Sequence, residues 1–296
     1  MYLYEFYRLF KKTLKNLYPE PKELETLFFL LTTHIFQCDQ TNILLQLGNK
    51  EKINFLIYKK LIKKLWELKK NRPIQYVIGK AYFFDMEFIV NEKVFIPRPE
   101  TEELVLWILQ EHKSHNFVQI FDIGTGSGCI SIILKKRKLG MIHAIDFSHE
   151  ILDIARKNAK LHNVEISFEK VNLLKEMIPT SKMNNNSVSI IVSNPPYIRL
   201  SERKFLHPNI IQYEPIQALF VPDEDPFIFY KKIFFCIKKK FAGIVYVYFE
   251  INQFIYLDVI ELLSKIGFLN IEIRKDFQGY SRMIRAVYYA YNKRIL

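Results

Sequence analysis

Val118-Gln119-Ile120-Phe121-Asp122 runs directly into Ile123-Gly124-Thr125-Gly126-Ser127-Gly128. The first five residues read as a buried strand, and residues 129–138 beyond the glycines read as a helix. Strand, glycine turn and helix in that order mark an α/β unit with a largely parallel sheet. Glycines at alternate positions let the backbone turn sharply and approach a ligand with no Cβ in the way. No Gly-Lys-Ser/Thr follows, so this is not a Walker phosphate loop. The last glycine of a dinucleotide fingerprint would fall at position 129, which is Cys129. A ligand without a pyrophosphate fits better, although a glycine loop alone is also compatible with a tight structural turn.

Further strand ends fall in phase with this one. Met141-Ile142-His143-Ala144-Ile145 leads to Asp146, Ile166-Ser167-Phe168-Glu169-Lys170-Val171 to Asn172, and Ile190-Ile191-Val192 to Asn194. From Asp122 these polar ends lie 24, 26 and 22 residues apart, the length of one strand and one returning helix. In an open parallel sheet, ligands sit beyond the carboxyl ends of the strands where strand order reverses, so the four side chains converge on one crevice. Asp146, 22 residues past Gly124, stands where an acidic side chain takes both hydroxyls of a ribose. Asn172 is placed to meet an adenine edge.

Ser193-Asn194-Pro195-Pro196-Tyr197 closes the last of these strands. A planar amide or exocyclic amine is a poor nucleophile because its nitrogen lone pair is shared with a π system. The Asn194 side-chain oxygen and the Pro195 carbonyl can accept both N–H bonds of such a group and turn its lone pair toward an electrophile. That is catalysis by positioning, with no side-chain base at the start. Pro195 and Pro196 fix φ and bias Asn194 away from helix, so the acceptors are held before a substrate arrives. Tyr197 offers an aromatic face for a flat group. On its own the segment could equally be an ordinary turn after a strand.

With these motifs in place the chain resembles the class I S-adenosylmethionine-dependent methyltransferases, and within them the release factor glutamine N5-methyltransferases. The resemblance runs through Arg72-Pro73-Ile74-Gln75-Tyr76-Val77-Ile78-Gly79, Ile96-Pro97-Arg98-Pro99-Glu100-Thr101-Glu102 and the glycine loop. It continues through Ser193-Asn194-Pro195-Pro196-Tyr197, Tyr213-Glu214-Pro215, Phe229-Tyr230, Glu250 with Gln253, and Lys275-Asp276 before Arg282. It implies a Rossmann-like sheet, mostly parallel with an antiparallel closing strand, beside a small N-terminal helical bundle. The implied cofactor is S-adenosylmethionine, held by Asp122, Gly124, Thr125, Gly126, Ser127, Gly128, Asp146, Asn172 and Asn194, with Thr101 at the pocket's border. The implied substrate is the glutamine of the Gly-Gly-Gln motif of class 1 peptide-chain release factors, bound by Asn194, Pro195, Pro196 and Tyr197. Asn194, Pro195 and Tyr197 are the expected catalytic residues. Three positions depart from the family pattern: Asn172 where Asp is commoner, Asn252 where Gly is usual, and Pro226 where many relatives carry Gly.

At 296 residues the chain is long enough for about two domains. Residues 1–80 read as helices, and the resemblance implies that they help hold the protein substrate, with residues 81–97 a β-hairpin linker and residues 98–296 the methyltransferase domain. Pro21 sits at a first helical position before Leu24, Leu27, Phe28 and Leu31, and Ile53, Leu56, Ile57, Leu61 and Leu65 share a second helical face. Residues 199–225 read as one long functional loop leaving the Asn194 strand, followed by a helix at 227–238 and a central strand at 243–249. Residues 268–274 and 283–290 read as a closing antiparallel pair.

A net charge of +12 would ordinarily suggest nucleic acid, but the lysine pairs are scattered along the chain as solvated helix faces are. With 25 Phe, 17 Tyr and only 9 Gly, the charge is as compatible with a compositional bias as with a basic surface that meets an acidic partner. Cys38, Cys129 and Cys236 are far apart and odd in number, which indicates neither disulfides nor a metal and fits a reducing cytoplasm. His112 and His115 have a metal-like spacing without further ligands, so no metal is expected. No apolar run is long enough to span a bilayer and no signal peptide pattern opens the chain. A monomer with no stable nucleic-acid partner is expected. The rival readings are a nucleic-acid amino-group methyltransferase of the N6-adenine type, for which no base-flipping or target-reading domain is recognisable, and a binding protein that has kept the fold alone.

Overall fold

A computed structural model describes residues 2–49, 51–113, 118–179 and 188–290. They divide into two compact units: the described residues up to 80 together with 207–213, and those from 81 to 206 together with those from 214 on.

The first unit is helical, with α1 (Leu3–Leu14), α2 (Pro21–Phe36), α3 (Gln40–Gly48), α4 (Phe55–Lys69) and α5 (Ile74–Ile78). Pro21 opens α2 at its first position, where its missing N–H costs nothing. The stripe Leu24, Leu27, Phe28 and Leu31 is buried, and Phe28 meets Phe6 and Phe10 of α1 ring to ring. On α4 the buried line is Leu61, Leu65 and Leu68. Leu56, expected on that line, is instead 67% exposed. It sits one position before Ile57, about 100° around the helix from the packed face.

The second unit opens on a hairpin, β1 (Lys80–Phe83) and β2 (Met86–Ile89), joined by Phe84 and Asp85, both with positive φ. Phe83 and Phe88 pack into the core of this unit, so the segment expected to serve as a linker is part of its fold. Next come α6 (Pro99–Glu111), β3 (Val118–Ile123), α7 (Cys129–Lys136), β4 (Met141–Asp146), α8 (His149–Leu161), β5 (Ser167–Lys170) and β6 (Val188–Ser193). The expected loop 199–225 is not a single loop. It carries β7 (Ile198–Arg199), a 3-10 turn (Leu200–Phe205), α9 (Pro208–Tyr213), α10 (Ile216–Leu219) and β8 (Phe220–Val221). Elements of two to six residues are too short to show a period in the sequence. α9 belongs to the first unit, where the Tyr213 hydroxyl donates to the Lys70 carbonyl at 2.8 Å. The chain closes with α11 (Ile228–Lys240), β9 (Gly243–Glu250), α12 (Tyr256–Ile266), β10 (Leu269–Lys275) and β11 (Ser281–Ala290).

Seven strands form one sheet in the order β10-β11-β9-β6-β3-β4-β5. β9, β6, β3, β4 and β5 run parallel, while β11 is antiparallel to both β9 and β10. Central β3 is buried at every position, the pattern of a strand covered by helices on both faces. Its side chains alternate: Phe121 and Ile123 join a cluster with Tyr230, Phe234 and Ile237 of α11, and Val118 and Ile120 join one with Leu104 and Ile108 of α6. From β3 the chain steps outward through β4 and β5, then returns to the other side of β3 as β6. That reversal opens a crevice beyond the ends of β3 and β6, where the glycine loop and Asn194 lie.

Candidate active site

The glycine loop is fixed from below. Asp122, fully buried at the end of β3, accepts on Oδ2 from Thr125 Oγ1 at 2.7 Å, Ser131 Oγ at 2.6 Å and the Ser131 amide at 3.2 Å. Burial pushes its carboxyl up from the ordinary value, and the Ser131 and Thr125 hydrogen bonds hold it back. Gly124 and Thr125 amides both donate to the Ile145 carbonyl, at 2.9 and 3.0 Å, which ties the loop to β4. Gly124 and Gly126 have φ of 73° and 56°, and a Cβ on either would meet no atom within 4 Å, so open space lies beside both backbones.

That space is a cavity of about 330 Å³. Gly124, Thr125, Gly126 and Ser127 form one wall, together with Asp146 at the end of β4 and Asn172 beyond β5. Asp122 and Gly128, expected to touch a ligand, do not line it: Asp122 lies beneath the loop, and Gly128 faces α8, where a Cβ would come within 3.2 Å of Ala155. Asp146 accepts from the Gly126 amide at 2.9 Å and the Phe147 amide at 2.8 Å. Burial pushes its carboxyl up to about 6 against those two hydrogen bonds. Cys129 lies at the same wall with its thiol pushed up to about 12 by burial, a packing group and not a thiolate.

Asn194, Pro195, Pro196 and Tyr197 line the same cavity from the end of β6. Ser193 Oγ donates to the Ile123 carbonyl at 2.6 Å, holding the ends of β6 and β3 together. Asn194 Nδ2 donates to Thr101 Oγ1 at 3.2 Å, and Thr101 donates to Glu250 Oε2 at 2.7 Å. The Tyr197 hydroxyl donates to Glu250 Oε1 at 2.8 Å. Burial, and next the nearby Glu250 charge, hold that phenol well above its ordinary value, so it is no proton acceptor. Asn252, where the family pattern has glycine, donates from Nδ2 to the Tyr197 carbonyl at 3.2 Å and to Glu202 Oε2 at 2.9 Å. The extra side chain ties the residues after β6 to the end of β9.

Sequence reasoning assigned no role to Glu250 or to the bonds of Asn252. A signal for the first was present: Glu250 is a polar residue ending the apolar strand β9, in the pattern that drew attention to Asp122, Asp146 and Asn194. His112 lies away from the cavity, with Nε2 2.9 Å from the Tyr248 hydroxyl, while His115 falls outside the described residues. Among the described residues, no group of three or more His, Cys, Asp or Glu could hold a metal. Among them, too, no helix is long and apolar enough to cross a membrane.

A model of the Methyltransferase small domain family matches residues 101–213. The chain is 40% identical over 281 residues to a release factor glutamine methyltransferase of Flavobacterium psychrophilum, covering 93% of this chain and 95% of that one. It is 35% identical over 277 residues to one of Bacteroides thetaiotaomicron, covering 93% and 96%. The chain belongs to the release factor glutamine methyltransferase family. Among solved structures, the hMettl16 catalytic domain, in complex with a UTR hairpin, aligns with a TM-score of 0.52 at 16% identity, covering 82% of this chain and 88% of that one. That likeness shows the shared Rossmann-like fold alone.

The cofactor of this methyltransferase family is S-adenosylmethionine, and the residues present fit it. The bare backbone beside Gly124 and Gly126 gives room for an amino-acid moiety to approach closely. The Asp146 carboxylate would suit a ribose diol, and Asn172, with Val171 and Leu173 beside it in the lining, would suit a flat ring with polar edges.

Proposed function

We propose that this chain transfers the methyl group of S-adenosylmethionine to the side-chain amide nitrogen of the glutamine in the Gly-Gly-Gln motif of class 1 peptide-chain release factors. The observation that carries the reading is that Asn194, Pro195 and Tyr197 line the same cavity as the glycine loop and Asp146. The cofactor supplies an electrophilic methyl carbon on a sulfonium. Asn194 Oδ1 and the Pro195 carbonyl accept the two N–H bonds of the glutamine amide, and Tyr197 packs its ring on the amide plane. Held so, the nitrogen lone pair is turned out of its own π system toward the methyl. The proton left on the methylated nitrogen is strongly acidic and passes to water, so no side-chain base is needed. The glycines beside the target glutamine let the substrate backbone come close to residues 194–197 without steric cost.

The helical unit of residues 1–80 is read as the part that holds the release factor. In support, the relatives align over 93% of the chain, whereas the family model spans only residues 101–213. The enzyme is read as a cytoplasmic monomer with no stable nucleic-acid partner. Transfer of labelled methyl to purified release factor, run beside a Gln→Ala version of its Gly-Gly-Gln motif and beside DNA and RNA, tests the proposal. Label on the intact release factor alone is expected. Label on nucleic acid would leave the amide-orienting chemistry standing and overturn the substrate.

A further inference from the structure

Two hydroxyls, from Thr101 on α6 and from Tyr197 in the segment after β6, meet at one buried carboxylate. Glu250, at the end of β9 and 2% exposed, takes the Thr101 hydroxyl on one oxygen and the Tyr197 hydroxyl on the other. The direction of these bonds follows from the donor inventory. An ionised carboxylate only accepts, and a threonine hydroxyl has one proton to give. Once Thr101 has given it to Glu250, it can offer Asn194 only a lone pair. Asn194 must then turn its NH2 edge to Thr101, as it does at 3.2 Å, which leaves Oδ1 as the uncommitted edge of the amide. The Tyr197 proton is spent in the same way, so that residue presents a ring and not a hydrogen bond.

We propose that Glu250 is a positioning residue for methyl transfer, which through the Thr101 hydroxyl fixes Asn194 with its acceptor edge toward the substrate amide and through the Tyr197 hydroxyl fixes the ring beside it. The inference deepens the glutamine methyltransferase reading and rests on it. A carboxylate kept only to staple strands would pair with the nearest guanidinium. Arg282 instead bonds Asp276 at 3.2 Å and Gln253 at 3.4 Å, and both Glu250 oxygens go to hydroxyls of residues that line the cavity. Taking a carboxylate out of water is expensive, so a buried one without a bonded cation calls for a reason. Burial holds the Glu250 carboxyl above its ordinary value, against the downward pull of the Thr101 and Tyr197 hydroxyls and the charge of Arg282.

The test is steady-state methyl transfer to release factor by the wild-type chain, Glu250→Gln, Thr101→Val, Thr101→Ser and the Glu250→Gln/Thr101→Val double variant. Calorimetric binding of S-adenosylmethionine and melting curves accompany each. Gln keeps the shape of Glu but must present an NH2 to one of the two hydroxyls, which reverses that bond. The expected result is a kcat lowered about 10- to 100-fold in Glu250→Gln, with cofactor binding within about threefold of wild type, the scale of losses in supporting residues. Thr101→Val is expected to fall similarly, the double variant to be little worse than either single one, and Thr101→Ser to recover most of what Val loses. A Glu250→Gln kcat within about twofold of wild type would overturn the proposal, as would losses that multiply in the double variant. Should Glu250→Gln fail to fold, the Thr101 pair decides: equal rates for Val and Ser overturn it. A wild-type chain that leaves release factor unlabelled overturns the substrate reading and this inference with it, an outcome visible before any variant is made.

Discussion

The two walls of the cavity are built in different ways. The wall from β3 and β4 is held by short-range bonds: Asp122 to Thr125 and Ser131, and Gly126 to Asp146. The wall from β6 is held by residues far away in sequence, with Thr101 93 residues from Asn194 and Glu250 53 residues from Tyr197. The first wall offers backbone and one titratable carboxylate, as a binding site needs. The second offers a neutral amide and a ring, oriented from outside, as a reaction limited by the direction of a lone pair needs. Binding and turnover should therefore be separable by substitution.

The largest expected effect is on the second wall. Asn194→Ala removes the acceptor proposed to face the reacting amide and should lower kcat on release factor about 100- to 1000-fold, the range for loss of one preorganised group. A loss below tenfold, measured in steady state, would break the division. Next comes Gly126→Val on the first wall. A β-branched residue at a φ of 56° is strained, and its side chain enters the cavity, so affinity for S-adenosylmethionine should drop at least about tenfold by calorimetry. Affinity unchanged within error would show that the loop is a turn and not a cradle.

Ser131→Ala probes the first wall from beneath, at a residue that does not itself line the cavity. Asp122 loses its 2.6 Å hydroxyl partner, which should cost about 1–3 kcal/mol of stability in a denaturant titration. Saturating cofactor should recover part of that loss by mass action.

The smallest effect is the pH dependence of the first wall. Asp146 is pushed up to about 6 from an ordinary 3.8, so ionising it costs the empty chain stability as pH rises through that window. A ribose diol donates to the ionised form and lowers the carboxyl's pKa. Cofactor binding should therefore release protons near pH 6 and weaken several-fold between about pH 7 and 5. Calorimetry in two buffers of different ionisation enthalpy reads the proton release, and none at pH 6 would place the ribose elsewhere.

The difference between the walls also explains what the sequence disclosed. Asp122, the glycines and Asp146 form a wall whose bonds span no more than 21 residues, so spacing alone located it. Even there, spacing could not separate Gly124 and Gly126, which face the cavity, from Asp122 and Gly128, which brace the loop from behind. In the second wall the residues 194–197 were legible because their chemistry is local, while their support was not. Nothing near Tyr197 announces that its hydroxyl belongs to Glu250, or that Asn252 at a usual glycine position holds its carbonyl. The short elements within residues 199–225 escaped for a simpler reason, since one turn of helix or two residues of strand carry no readable period, and Leu56 was misplaced because it sits one position off the packed face of α4.

One titration tests the division between the walls most directly: S-adenosylmethionine into Asn194→Ala, with turnover on release factor measured on the same preparation. The division of labour predicts a dissociation constant within about threefold of wild type beside a kcat lower by about two orders of magnitude. Affinity and turnover falling by the same factor would contradict it, and would make Asn194 a cofactor ligand first.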